Sequence, residues 1–194
     1  MASGTVSRGS GRNTAIVWLR GLLRLHDNPV LNWACSNEQI DSVIPIVIIE
    51  ESDDSGDSPR LGVNRERFLY ESIVDLNKTM IERYGTGILT FSGSPRDVIR
   101  SIFKSLDSDL KMLLTDYRSE PNKRIEMSDI EEELELSGIE TIVFPAVSTI
   151  LDIEKVIASE GYMNPKSSRD IDAIMRHHLG KDPEGSIVRG PAPI

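Results

Sequence analysis

Residues 15–29, which read AIVWLRGLLRLHDNP, decide the fold because they join an apolar strand to the start of a helix. The run AIVWL at 15–19 is continuously apolar, which is typical of a parallel strand covered on both faces. Asn28 and Pro29 indicate a helix start, since asparagine caps well and proline is tolerated at the first helical position. The loop between them carries two arginines, a histidine and an aspartate. Polar chemistry therefore follows directly after the first strand.

Four further apolar runs follow along the chain, and helical patterns separate them. They lie at 42–49, 87–91, 110–115 and 139–144. Strand and helix thus alternate five times, and right-handed crossovers turn this alternation into a doubly wound parallel sheet. We predict an α/β, Rossmann-like fold with five strands in the order 3-2-1-4-5 and a C-terminal helical and linker extension.

The helices between these strands have recognisable ends. A helix over 63–84 carries an apolar stripe at spacings of three and four and ends at Gly85. A third helix begins at Ser94-Pro95, with serine as its cap, and a fourth covers about 121–136 and ends at Gly138. The stripe of the 63–84 helix consists of Leu69, Ile73, Leu76, Met80 and Tyr84.

Composition divides the chain into three parts. Residues 1–13 read as a flexible N-terminal arm, 14–146 as the α/β domain, and 147–194 as a helical extension and interdomain linker. Segments 151–160 and 168–179 within that extension look helical. An acidic loop at 50–60 is expected to be a solvated insertion.

The bulk charge and cysteine content exclude several classes of protein. The 194 residues carry 22 basic and 31 acidic side chains, a net charge of −9, which speaks against direct binding of nucleic acid by this domain. The single cysteine, Cys35, has no intramolecular partner and is expected to be buried on the first helix. No apolar run is long enough for a membrane span. We expect a cytoplasmic or nuclear protein that does not bind membranes.

Open parallel sheets bind ligands outside the carboxyl ends of their strands, where the strand order reverses. Strands one and four flank that point here. The loops that follow them, 20–24 and 116–120, together offer three arginines, two acids and a tyrosine. Neither GxxxxGK[ST] nor GxGxxG follows the first strand. No metal site is expected, because no Cys/His cluster has zinc spacing and the adjacent His177 and His178 would diverge on a helix.

The motifs along this chain resemble those of the photolyase/cryptochrome family. Residues 17–29 resemble that family's opening, VWFRRDLRLHDNP, and 64–76 resemble its second helix. Residues 89–95 are similar to its strand and turn LxVxxGxP, and 116–124 are similar to its segment D-x-EPxxxxRD. Ser148-Thr149-Ile150-Leu151 stands where animal members read SHTLY. Ordered matches cover roughly residues 15–160.

The resemblance implies an α/β domain that in many family members binds an antenna chromophore, a folate (MTHF) or a deazaflavin. It implies that FAD belongs to a separate helical domain beyond this sequence, so we expect no catalysis by this chain alone, although the family is of the deoxyribodipyrimidine photolyase type. The full-length family functions are blue-light-dependent DNA repair and photoreceptor or clock signalling. The expected partner is the helical FAD domain or another protein. The alternatives are a stand-alone interaction module, which the same fold permits, or a generic nucleotide-binding α/β protein.

The resemblance also suggests site residues. Arg20, Asp116 and Glu120 are expected to line an antenna pocket, with Arg20 as the ligand-facing cation. Glu120 matches the position from which folate-binding members contact the pterin ring, but it also fits a first-turn acid stabilised by the helix dipole. Asp27 and Asn28 are expected to cap the first helix, and Arg24 and His26 to be packed and hydrogen-bonded.

Three departures from the family pattern bear on this site. The family's RRD triplet is Arg20-Gly21-Leu22 here, so an arginine and an aspartate are lost. Ile125 replaces the aspartate after the arginine of the EP segment, and the histidine of SHTLY is missing. These losses of polar groups weaken the expectation of a bound antenna.

Overall fold

Five parallel strands form one sheet in the order β3-β2-β1-β4-β5, as predicted. The computed structural model describes residues 12–50, 62–118, 120–144, 153–159 and 166–181. The strands are β1 (Thr14–Trp18), β2 (Ser42–Ile49), β3 (Leu89–Ser92), β4 (Lys111–Asp116) and β5 (Glu140–Phe144). The helices are α1 (Pro29–Ser36), α2 (Val63–Tyr84), α3 (Pro95–Ser105), α4 (Pro121–Leu136), α5 (Ile153–Ala158) and α6 (Ser168–Lys181).

The central strand β1 explains why the apolar runs are continuous rather than alternating. Ile16 lies in register with Ile44 of β2 and Leu113 of β4, so β1 has a parallel neighbour on each side. Ala15 and Val17 pack into a core with α1 and α2, whereas Ile16 and Trp18 pack into a second core with α3 and α4. Both faces of the sheet are therefore covered, and every β1 residue is buried.

The helix ends follow the capping chemistry in most cases. Asn28 caps α1, and its side chain accepts a hydrogen bond from the backbone N–H of Leu31. Gly85 ends α2 in the left-handed conformation, with φ of 70°. Ser94 occupies the cap position of α3, but its side chain makes no capping hydrogen bond. Pro95 at the first position and the acid Asp97 in the first turn therefore account for the start of α3 better than Ser94 does.

Four expectations are wrong in detail. Asp27 does not cap α1; it precedes the cap and adopts a positive φ of 51°. Cys35 and His26 are exposed rather than packed. Tyr84 is 54% exposed, although Ile73, Leu76 and Met80 of the same predicted stripe are buried.

Several predictions fall outside the described residues. Most of the predicted arm at 1–13, most of the acidic loop at 50–60 and the final residues 182–194 belong to this group. The two helices predicted at 151–160 and 168–179 correspond to α5 and α6. Across the described ranges, no helix combines the length and the apolar character that crossing a membrane demands.

Candidate ligand site at the carboxyl ends of β1 and β4

Two of the three predicted site residues meet where β1 and β4 end. Asp116 is the last residue of β4 and is 2% exposed. Its Oδ1 accepts hydrogen bonds from the backbone N–H groups of Arg20, at 3.1 Å, and Gly21, at 3.3 Å. The carboxylate therefore fixes the loop after β1 to the end of β4. Asp116 acts first as a structural clamp, because a carboxylate oxygen that already serves two N–H groups is committed to the protein.

The electrostatics of Asp116 reflect this clamp. Burial raises the pKa of the carboxyl, and the two backbone hydrogen bonds, from Arg20 and Gly21, oppose that rise by stabilising the charged form. The neighbouring Thr115 reinforces the strand pair, since its hydroxyl donates to the carbonyl of Trp18 at 2.9 Å. The start of the loop at Arg20 is therefore held to the carboxyl ends of both β1 and β4.

Arg20 lies between β1 and α4 rather than free in a cleft. Its side chain is 6% exposed, and its guanidinium carbon lies 4.4 Å from the ring centroid of Trp18, a cation–π distance. Its Nη2 makes long hydrogen bonds to the carbonyl of Lys123 (3.4 Å) and to Glu126 Oε2 (3.5 Å). Burial lowers the pKa of Arg20, and Glu126 opposes this shift. Arg20 therefore presents a largely desolvated cation, which attracts anions more strongly than an exposed one.

Glu120, the third predicted residue, is paired within the protein. Nη2 of Arg118 donates to Glu120 Oε1 at 2.8 Å, and this hydrogen bond lowers the pKa of the Glu120 carboxyl. Glu120 occupies the cap position of α4 but makes no capping hydrogen bond through its side chain. Its carboxylate faces a guanidinium in place of the helix N-terminus, so pairing, rather than capping, fixes its position.

Gly21 permits a close approach of Arg118. A Cβ atom built at residue 21 would lie 2.4 Å from Arg118 Nη1 and 2.8 Å from Asp116 Oδ2. These distances are shorter than any ordinary contact, so the guanidinium occupies the space that a side chain at residue 21 would need. The loop after β4 thereby supplies a cation to the end of β1.

A cavity of about 240 Å³ opens beside these residues, between the first turns of α4 and the end of β5. We call it the α4 cavity. Four of its lining side chains are cationic, and one is acidic. Its lining comprises Arg20, Tyr117, Arg118, Lys123, Arg124, Met127, Glu131 and Val143. In a chain of net charge −9, this concentration of positive charge favours an anionic or electron-rich ligand.

The sequence analysis missed the contribution of α4 to this cavity. Lys123 and Arg124 stand in the first turn of that helix, one turn from the end of β4, and the guanidinium carbon of Arg124 lies 6.0 Å from the ring centroid of Tyr117. Burial raises the pKa of Glu131 at the cavity wall. The available signal was the basic pair Lys123-Arg124, which follows Pro121-Asn122 at the start of the helix.

Arg24 does not line this cavity. Its Nη2 donates to the carbonyl of Asp27 at 3.1 Å and to Asp27 Oδ2 at 3.3 Å, so it stabilises its own loop. The hydrogen-bonded role predicted for Arg24 is confirmed.

Known proteins share this sequence pattern. The family model described as DNA photolyase matches residues 15–181. The (6-4)DNA photolyase of Arabidopsis thaliana is 30% identical over 170 residues, which is 84% of this chain and 29% of that protein. Cryptochrome-2 of Gallus gallus is 29% identical over 188 residues, 96% of this chain and 31% of that protein. The chain thus spans less than a third of the length of these two relatives.

Solved structures agree on the fold. A Synechocystis cryptochrome superposes with a TM-score of 0.72 at 19% identity, covering 94% of this chain and 36% of that one. An archaeal photolyase from Sulfolobus tokodaii, described with two FAD molecules and a novel light-harvesting cofactor, gives a TM-score of 0.64 at 18% identity. It covers 93% of this chain and 36% of that one.

Proposed function

Because the chain belongs to the DNA photolyase family, we propose that it serves as the N-terminal α/β domain of a photolyase- or cryptochrome-type protein and binds an antenna chromophore at the α4 cavity. The observation that carries this proposal is the position of a cation-lined cavity at the β1/β4 reversal point. DNA repair or photoreception belongs, in this proposal, to the whole protein. The helical FAD domain is the expected partner.

The size of the α4 cavity limits how much of a chromophore enters it. A volume of about 240 Å³ lies below the roughly 300–1,000 Å³ of sites that enclose a drug-sized ligand. One ring system fits, and the remainder of a folate or deazaflavin would lie outside the mouth. Tyr117 and Arg124 offer a stacking surface for such a ring, because an aromatic face and a planar guanidinium both accept a flat ligand.

The pairing of Glu120 favours one class of ring over another. A pterin that bonds to this carboxylate through paired N–H groups would compete with Arg118, which already holds Oε1 at 2.8 Å. An isoalloxazine-like ring with carbonyl oxygens would instead accept from the cations and leave the Arg118–Glu120 pair intact. The geometry therefore supports a deazaflavin or flavin more than a folate.

Three probes test this proposal with the purified chain: methenyltetrahydrofolate, an 8-hydroxy-5-deazaflavin and FAD. We expect the deazaflavin or FAD to raise the melting temperature and to change its own fluorescence, and the folate to bind more weakly. If none of the three binds, the antenna proposal fails and domain docking is the function that is left.

Variants locate the site. Arg124→Ala should weaken binding roughly tenfold or more, because a contact with a charged group contributes about 1.5–3 kcal/mol. Arg83→Ala, which removes an arginine from α2 on the other face of the sheet, is the matched control and should bind as the unchanged chain does. Equal affinity for Arg124→Ala would place the ligand elsewhere.

A further inference from the structure

One side of α2 exposes large apolar residues along the whole length of the helix. We call these residues the α2 stripe. They are separated by seven, four, seven and three positions, so they follow the 3.5-residue period of a helix-pairing seam. The stripe consists of Val63 (81% exposed), Tyr70 (44%), Val74 (68%), Ile81 (51%) and Tyr84 (54%). The residues that α2 buries against the sheet lie on a different side of the helix.

The α2 stripe borders the edge of the sheet formed by β3. Asn77, which shares the side of the helix that carries the stripe, accepts a hydrogen bond from the backbone N–H of Ile88 at 2.8 Å. The side chain of Ile81 lies beside Gly87, the residue before Ile88. Leu89, the first residue of the edge strand β3, is 51% exposed. The apolar surface therefore continues from the helix onto the sheet edge.

A row of charged residues runs along the outer side of the α2 stripe. It reads Arg67, Glu71, Asp75, Lys78 and Glu82, so that Asp75 lies between two pairs of unlike charge and farthest around the helix from the stripe. Within the helix these side chains form two exposed i,i+4 pairs, with N–O distances of 2.7 and 3.9 Å. Such exposed pairs contribute little by themselves, so the groups are available to a partner surface.

This charge order is complementary to itself in one orientation. When two α2 helices run antiparallel with the twofold axis beside Val74, Arg67 of one lies opposite Glu82 of the other and Glu71 lies opposite Lys78, while the two Asp75 carboxylates form the one like-charged pair. In a parallel twofold pair the charge row would instead face the other flank of the partner's stripe, where α2 buries Ile73, Leu76 and Met80 against the sheet, so these unlike pairs could not form. The apolar seam obeys the same symmetry, since Val63 then meets Tyr84 and Val74 meets Val74.

We propose that the α2 stripe binds a second copy of this chain, with the two α2 helices antiparallel about a twofold axis at Val74. A closed twofold interface uses the same patch on both copies, as this pattern requires. The helix has 22 residues and is about 33 Å long. One helix face is small beside the roughly 800 Å² per partner of a standard interface, so the dimer is expected to be reversible.

Sedimentation of the whole chain over a roughly hundredfold range of concentration tests the proposal. The average mass should rise from 21.6 kDa toward twice that value. Val74→Glu should raise the dissociation constant at least tenfold, because it replaces the central apolar contact with two further carboxylates beside the Asp75 pair. Phe68→Glu is the matched control: Phe68 is an equally exposed apolar residue of α2, at 71%, but lies off the stripe, and its variant should still dimerise.

A charge exchange tests the orientation. Glu71→Lys alone and Lys78→Glu alone should each weaken the dimer, whereas the two together should restore it across the axis. The double variant does not repair the pairs within the helix, so a simple loss of helix stability would leave it as weak as the single variants. A chain that stays monomeric throughout, a Val74→Glu variant that dimerises normally, or a double variant without recovery would each overturn the proposal.

Discussion

Asn28 offers a sharp test of how the loop after β1 is held. Its side chain is fully buried between that loop and α1. Oδ1 accepts from the backbone N–H of Leu31 at 3.1 Å, and Nδ2 donates to the carbonyls of Arg24 at 3.0 Å and Leu22 at 3.5 Å. One amide therefore caps the helix and fastens the loop that leads from the candidate site.

The cost of Asn28→Ala follows from these contacts. Loss of the cap costs about 1 kcal/mol, and leaving the partly buried Arg24 carbonyl without its donor costs about 1–3 kcal/mol. The Leu22 contact is too long to add much. We expect the free energy of unfolding to fall by about 2–4 kcal/mol, which lowers the melting temperature by about 2–4 °C for each kcal/mol.

Asn28→Asp separates the two functions of this amide. The carboxylate keeps the capping oxygen but turns a second oxygen toward the Arg24 carbonyl, where a donor is needed. We expect a loss comparable to that of Asn28→Ala at neutral pH, and partial recovery in acid, where a protonated carboxyl donates again.

Urea unfolding followed by far-ultraviolet circular dichroism measures these losses. Asn37→Ala is the control, because Asn37 lies at the exposed far end of α1 and its side chain accepts a single hydrogen bond from the backbone N–H of Gln39. It should cost less than about 1 kcal/mol. If Asn28→Asp proves as stable as the unchanged chain at neutral pH, the donor side of the amide contributes nothing and the reasoning is wrong.

Three further outcomes are expected of the unfolding equilibrium. Gly21→Ala should lower the free energy of unfolding by about 1–3 kcal/mol, as measured by thermal denaturation. The new Cβ would lie 2.4 Å from Arg118 Nη1, which can move, but also 2.8 Å from Asp116 Oδ2, which is held by its hydrogen bonds. An unchanged melting temperature would contradict this. Hydrogen bonds from Arg100 and a second arginine of α3 lower the pKa of Glu133 to about 2. Glu133 therefore contributes stability that is present above its ordinary pKa and is lost as the pH falls toward 2, and Glu133→Gln should flatten that acid limb in urea titrations. Burial raises the pKa of Asp116, so its contribution declines as the pH rises from the ordinary value through the raised one. Asp116→Asn keeps an acceptor oxygen for the two N–H groups and should remove that decline from the same titrations.

The fold was predictable because the strands report their environment directly. A strand that is buried on both faces carries apolar side chains at successive positions, and the run at 15–19 contains no polar residue. Proline at the first position of α1, α3 and α4 marked three helix starts, because proline cannot donate within a helix.

Exposure was harder to predict than secondary structure. The spacing from Met80 to Tyr84 continues the apolar period, but spacing fixes a direction around the helix axis and not whether a neighbour lies there. Met80 packs on the sheet, whereas Tyr84, one turn later, is more than half exposed. Cys35 shows the same limit on α1: the residue is exposed, and partial burial of its thiol does no more than raise the pKa of that thiol.

The site was half predictable. Parallel sheets bind ligands at the carboxyl ends of their strands, and this rule predicted that Arg20 and Asp116 lie close together. It could not show that the Asp116 carboxylate accepts hydrogen bonds from two backbone N–H groups of this chain. That depends on the path of the loop after β1. Lys123 and Arg124 join the cavity through the angle at which α4 leaves β4, and no residue pattern reports that angle.

One departure from the family pattern, the glycine at residue 21, moves a charge of the site rather than removing it. Gly21 stands where the family pattern has an arginine, and the Arg118 guanidinium fills the space that its side chain would need. A side chain at residue 21 and Arg118 in its present position exclude each other. The cation at the end of β1 is thus kept, but it comes from the loop after β4 and is bound to Glu120 at 2.8 Å. Because that pairing also engages the Glu120 carboxylate, the glycine at residue 21 and the pairing of Glu120 within the protein have one structural cause.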